Sequence, residues 1–174
     1  LEADSGGIDL CGKCRKCIEA CPTQAIIEDR FVNSNLCIGY HTIENRKEIP
    51  ANVAMNMSGW IAGCDVCQQV CPWNDPITPA RQFLEVQPLF KLNFAQMAEL
   101  SLVDFEKYTK GVAMRRMKYF GFLRNITIAV ATSKISEIEK SKHFESVEKN
   151  LIEISDEAQK QIVISTLEWA RSIK

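Results

Sequence analysis

From about residue 91 onward the apolar positions recur at three and four. Phe144, Val147, Leu151 and Ile154 form one such series, and Ala158, Ile162 and Trp169, with the small Ser165 between, form another. Each is the pattern of a helix that buries one face. Asn93 with Gln96 and Asp156 with Gln159 resemble capping boxes, and Ser101 is placed to cap the turn that begins at Leu102. The pattern predicts helices over 94–100, 102–109, 112–120, 122–133, 142–154 and 157–172, with Gly111 and Gly121 as breaks. Antiparallel helices of this length joined by short turns predict a short HEAT-like stack.

Before residue 91 the period is different. Ala25, Ile26 and Ile27, then Phe31 and Val32, broken by Glu28, Asp29 and Arg30, predict a small two-stranded hairpin. Residues 1–10 are small and acidic and read as a linker tail. The segment from Pro72 to Pro88 carries Pro76 and Pro79 and no sustained period, as expected of an irregular connector. The fold class expected is therefore α+β, mostly α, with one domain over 1–90 and a helical domain over 91–174.

With 46% hydrophobic residues in 174, the chain has enough apolar surface for a real core. Its longest apolar runs, such as Ile126 to Ala131, fall far short of a membrane span, and no apolar leader precedes Cys11, so no membrane partner is expected. The chain starts at Leu1 rather than methionine and reads as a piece of something longer. A net charge of −1 does not by itself announce a nucleic-acid binder. A monomer is expected.

The cysteines change the picture. All 8 lie between Cys11 and Cys71. Cys11, Cys14, Cys17 and Cys21, followed by Pro22, have the Cys-x2-Cys-x2-Cys-x3-Cys-Pro spacing of a bacterial two-cluster ferredoxin, whose fourth cysteine reaches across to the other cluster. Cys64, Cys67, Cys71 and Pro72 repeat the ending, with the first cysteine moved upstream to Cys37. Crossing the fourth ligands gives one [4Fe-4S] site of Cys11, Cys14, Cys17 and Cys71, and a second of Cys21, Cys37, Cys64 and Cys67. The domain over 1–90 is thus expected to be ferredoxin-like, with two clusters.

Disulfides fit poorly, because cysteines at every third residue cannot all bridge with good geometry. Zinc is the stronger rival, since Cys-x2-Cys pairs suit a tetrahedral ion, but a zinc ribbon has no use for a third cysteine at that spacing. So many thiols imply a reducing, cytoplasmic setting. Lys13, Arg15 and Lys16 on the first loop either temper the charge of a cluster or form a solvated face. Trp73, directly after the last ligand, is expected to shield a cluster from water. The insertion 38–63 is too ordered in composition for a slack loop and is expected to pack over the second cluster or face a partner domain. Its His41 reads as a packing or surface residue, because eight cysteines already meet the ligand demand.

In the helical half, Arg115, Arg116, Lys118 and Arg124 fall close together, with Lys107 and Lys110 just before them. They form a candidate phosphate-binding face, against the plainer reading of a solvated surface.

The stretches CGKCRKCIEACPTQAI, CIGYHTIENRKEIP and GWIAGCDVCQQVCPWN resemble the tRNA epoxyqueuosine reductase family, and MRRMKYFGFLRNITIAVA is similar to its basic helical repeat, including the pair Arg124 and Asn125. Gln24 stands where that family more usually has glycine, and Gly39 where serine is expected; neither departure removes a ligand. The resemblance implies an oxidoreductase that reduces epoxyqueuosine to queuosine in tRNA with cobalamin. Its two [4Fe-4S] clusters would feed electrons singly to cobalt, and the helical repeat would hold the tRNA anticodon stem-loop. The cobalamin-binding domain and its catalytic acid precede the clusters in that family, so this chain alone is expected to bind no cobalamin, to contain no catalytic residue and to be inactive by itself. A reduced donor such as flavodoxin or ferredoxin is the implied electron source. The competing readings are a stand-alone polyferredoxin-like carrier and an iron-sulfur module of the reductive-dehalogenase kind.

Overall fold

A computed structural model describes residue 6 and residues 11–28, 31–74 and 88–173. The expected linker tail, apart from Gly6, the hairpin break at Asp29 and Arg30 and most of the proline-rich connector lie outside the described residues.

The first half is built from short elements. A turn in which the Cys14 amide donates to the Cys11 carbonyl (2.9 Å) leads into α1, Lys16–Ala20, anchored by the buried Ile18. The expected hairpin is present: β1, Ile26–Glu28, runs antiparallel to β2, Phe31–Val32, with Ile26 opposite Val32 and Glu28 opposite Phe31. Then come α2, Ile38–Ile43, α3, Ala51–Ala54, and α4, Val66–Gln69. Helices α1 and α4, which follow equivalent cysteines in the two runs, pack against each other.

The second half is helical. After a 3-10 turn at Pro88–Lys91 come α5, Phe94–Ala98, and α6, Leu102–Tyr108. A 3-10 turn at Ala113–Met117 leads into α7, Lys118–Ala131. Then follow α8, Glu137–Asn150, a 3-10 turn at Leu151–Glu153, and α9, Glu157–Ser172. The caps follow the local sequence. Asn93 and Gln96 form a full capping box, and the side chains of Ser101 and Asp156 accept from the amides of Asp104 (3.1 Å) and Gln159 (3.0 Å).

Three helix boundaries differ from expectation. The 112–120 segment is a 3-10 turn followed by a break at Lys118, whose φ of 61° and ψ of 164° lie in a region normally reserved for glycine. Helix α7 passes straight through Gly121, because a helix packed on all sides is held by its neighbours and tolerates a glycine that costs it about 1 kcal/mol of propensity. Helix α8 starts at Glu137 rather than 142, because Ser136 and Glu139 make a second full capping box.

Every residue of α7 from Tyr119 to Ala131 is buried, with α5, α6, α8 and α9 packed around it. Burying one Phe, Leu or Ile stabilises by about 1.5–3 kcal/mol, so this helix organises the core. Phe144, Val147 and Ile154 are buried as the periodicity indicates, and Leu151 partly so. On α9 the buried face is Val163, Thr166, Leu167 and Ala170; Ala158 is exposed and Ile162 and Trp169 are half-buried, so the face is turned by one position from the expected one.

The insertion 38–63 packs against the helical half. Ile38, Val53, Ala54 and Met57 form a small core with Ile128 of α7, and Leu36, Ile49, Trp60 and Trp169 pack at its edge. The insertion is a wedge whose apolar side meets the helices. Residues from both sides of position 90 therefore share one core.

Candidate metal centre

The sulfur-bearing residues are placed by very local structure. Cys17 sits in the short helix α1, and Cys21 ends that helix in extended backbone (φ −64°, ψ 115°), which carries the chain into Pro22. The Ala25 amide donates to the Cys21 sulfur at 3.2 Å, and the Thr23 hydroxyl lies 3.8 Å from it. Burial favours the neutral thiol of Cys21, yet hydrogen bonds from the amides of Ala25, Thr23 and Ile26 and from the Thr23 hydroxyl outweigh it and hold the group below the usual thiol value. Gln24 has φ +52°, which explains why glycine suits this position; its side-chain amide donates to the Cys21 carbonyl at 2.8 Å.

In the second run Cys37 is the residue before α2, Cys64 precedes the turn into α4, and Cys67 lies on α4 itself. Four thiols, those of Cys21, Cys37, Cys64 and Cys67, line a cavity of about 100 Å³ whose other walls are largely apolar and include Pro22, Ala25, Ile26, Val32, Ile38 and Val66. One of these thiols comes from the first cysteine run and three from the second. Burial pushes the thiols of Cys64 and Cys67 above their usual value, and neighbouring thiols, Cys37 among them for both, push the same way. Gly39 faces this site: a Cβ there would lie 3.6 Å from the Cys37 sulfur and 3.9 Å from the Cys64 amide nitrogen, ordinary contact that also leaves room for a serine.

The donors are all sulfur, the set that selects iron-sulfur clusters or zinc. A single zinc ion would draw its sulfurs to about 2.3 Å from one point, and a cluster spreads them over several iron atoms. The thiols stand on the walls of a cavity, as a cluster of several atoms requires. Of the other cysteines, Cys11 and Cys14 are exposed and Cys17 and Cys71 half-buried, on segments that the contact of α1 with α4 draws together.

Two readings from the sequence meet a definite outcome. His41 is buried, with Nε2 2.8 Å from the Asn35 carbonyl and Nδ1 3.0 Å from the Asn45 amide group, so both ring nitrogens are engaged in packing the insertion. Trp73 is 57% exposed and does not line the cavity of Cys21, Cys37, Cys64 and Cys67.

The basic group of the helical half divides in two. Arg115, Arg116 and Lys118 are exposed on the turn before α7 and at its first residue. Arg115 pairs with Glu106 at 3.4 Å and Arg116 with Glu44 at 2.6 Å, contacts that at such exposure are worth little and leave both cations open to other anions. Arg124 is a correction: it is fully buried and cannot meet a phosphate. Its Nη1 donates to the carbonyls of Asn45 (3.0 Å) and Lys47 (2.5 Å), its Nη2 to the His41 carbonyl (2.6 Å), and Nε and Nη2 to Asn125 Oδ1 (3.1 and 3.0 Å). Asn125 Nδ2 donates in turn to the carbonyls of Thr42 (2.9 Å) and Ile61 (2.8 Å). Burial pushes the Arg124 guanidinium down to about 10, with Arg46 nearby adding to the effect, so it is still charged at neutral pH.

The sequence carried a signal for this burial. In FGFLRNITIAVA there is no polar face on which an arginine could lie outward, so a helix with that stretch is surrounded and its one cation must find acceptors inside.

Residues 10–74 match the family described as a 4Fe-4S double cluster binding domain. An epoxyqueuosine reductase of Francisella cf. novicida (strain Fx1) is 39% identical over 164 residues, spanning 93% of this chain and 43% of that protein. One from Prochlorococcus marinus (strain NATL2A) is 45% identical over 130 residues, spanning 72% of this chain and 42% of that protein. The chain thus spans less than half the length of these curated relatives. Among solved structures, the epoxyqueuosine reductase of Streptococcus thermophilus superposes with a TM-score of 0.66 at 20% identity, covering 98% of this chain and 53% of that one. An epoxyqueuosine reductase solved with an epoxyqueuosine-modified tRNA stem loop superposes with a TM-score of 0.63 at 20% identity, covering 99% and 53%. These likenesses extend the shared fold from the cysteine-rich half into the helices.

Proposed function

Since this chain belongs to the epoxyqueuosine reductase family, we propose that it is the electron-relay and tRNA-docking part of an enzyme that reduces epoxyqueuosine to queuosine in tRNA. The observation that carries the relay reading is the cavity in which Cys21 of the first run joins Cys37, Cys64 and Cys67 of the second. These four thiols would hold one [4Fe-4S] cluster, and Cys11, Cys14, Cys17 and Cys71 the other. When bound, such clusters supply one-electron transfer at potentials tuned by hydrogen bonds and solvent access. The chain's own part is to present thiolates, to keep water from one site with Pro22, Ile26, Val32, Ile38 and Val66, and to aim the Ala25 amide at the Cys21 sulfur. Opening of the epoxide would fall to the cobalamin-binding domain of the family, to which no residue described here is assigned. That domain and a reduced flavodoxin or ferredoxin are the proposed protein partners.

Anaerobically prepared protein is expected to carry about eight irons and about eight acid-labile sulfides per chain, two cubes' worth. Stoichiometric zinc without labile sulfide would overturn the relay reading.

The docking surface is proposed on Arg115, Arg116 and Lys118, without Arg124. Arg115 and Lys118 open onto a cavity of about 250 Å³ that they share with Tyr119, Ser155 and Gln159 and with two carboxylates, Glu106 and Glu153. The conformation of Lys118 costs about 1–3 kcal/mol, the kind of strain that collects at binding sites. Binding of an anticodon stem-loop is expected to weaken with salt, and the slope to fall by roughly one for each of the three cations replaced by glutamine. Filter binding across a salt series measures this. An unchanged slope in the triple variant retires the surface, and no binding at all favours the stand-alone electron carrier.

A further inference from the structure

Cys37 and Cys64 face one cavity but stand at opposite ends of the long insertion, so something must set the distance between them. Cys37 starts α2, whose last carbonyls have no partner within so short a helix. The His41 carbonyl is taken by Arg124 and the Thr42 carbonyl by Asn125. The limb that returns to Cys64 is held by the same pair, because Asn125 also donates to the Ile61 carbonyl. Thr42 closes the link: its hydroxyl donates to the Ile38 carbonyl at 2.8 Å and accepts from the Gly63 amide at 2.9 Å, one residue before Cys64. Two adjacent side chains of α7 thereby bind both limbs of the insertion. A rigid, fully buried helix is a firm base for this, and every buried polar side-chain atom among the described residues has a partner.

We infer that Arg124 and Asn125 are positioning residues for the site of Cys21, Cys37, Cys64 and Cys67, acting through Thr42 to fix where Cys37 and Cys64 present their sulfurs. The inference rests on the two-cluster reading. It goes beyond that reading by tying one of the two sites to the helical half, and it makes a selective prediction: disturbing the link changes one cluster and leaves the other alone. A merely structural pair would loosen both, or neither.

The test is redox titration followed by paramagnetic resonance on the full, anaerobically reconstituted chain. Cys37→Ala identifies the signal that belongs to this site. Asn125→Ala and Thr42→Val are expected to shift the midpoint and line shape of that signal and to leave the second signal as in the unsubstituted protein, while Thr42→Ser, which keeps the hydroxyl, retains both. Thr42→Val preserves side-chain volume, so it carries the test if circular dichroism shows that Asn125→Ala does not fold. Two unchanged signals, equal shifts in both, or a shift confined to the other signal would overturn the inference. Absence of two signals in the unsubstituted protein would instead defeat the cluster reading on which it stands.

Discussion

Cys21→Ala is expected to abolish the cluster that the sequence places farther away. Cys21 lies in one run with Cys11, Cys14 and Cys17, yet its sulfur opens into the cavity of Cys37, Cys64 and Cys67. Losing one thiolate of four leaves an iron without a protein ligand, and such a site keeps a damaged cluster or none. The substituted protein should retain about half the iron and labile sulfide of the parent, with the resonance signal of the Cys11, Cys14, Cys17 and Cys71 site intact. Comparing Cys21→Ala with Cys37→Ala and Cys14→Ala settles it. If Cys21→Ala and Cys14→Ala remove the same signal, each run serves its own cluster and the crossing is wrong.

The second large effect is expected at Arg124. Arg124→Met keeps much of the length and apolar stem but leaves the buried carbonyls of His41 and Asn45, and the part-buried one of Lys47, without that donor. Each orphaned group costs about 1–3 kcal/mol, partly offset because a charge no longer has to be stripped of water, so a net loss of about 3–5 kcal/mol is expected. Against a typical stability of about 5–15 kcal/mol, that is enough to lower the urea midpoint steeply. Arg124→Lys should lose nearly as much, because a single ammonium cannot reach acceptors spread around a planar fork. A midpoint within error of the parent for Arg124→Met would mean that the insertion does not depend on this contact.

The two residues also show how far the sequence could be read. The spacing around Cys21 is a statement about a dozen contiguous residues, and the thiols that line its cavity are those that spacing assigns to it. The acceptors that Arg124 meets are 77–83 positions away in the chain, and a count of cations alone groups it with the exposed Arg115, Arg116 and Lys118. The roles of Asn125 and Thr42 are hidden for the same reason: nothing in their immediate neighbours says that their partners lie in a distant loop.

What the sequence determined by itself is therefore what short-range chemistry controls. The cysteine intervals, the hairpin of Ile26 and Val32, and the caps at Asn93, Ser101 and Asp156 all depend on hydrogen bonds and turns that close within a few residues, and the match of residues 10–74 to the cluster-binding family follows from the same local patterns. Only the tertiary structure decided that α7 runs unbroken through Gly121, that the face of α9 is turned by one position, that Trp73 is largely exposed and that the insertion is a wedge gripped by Arg124 and Asn125. In each of these the outcome depends on which surface a segment meets. Burial is a property of the pair of surfaces, and one surface's sequence does not contain the other.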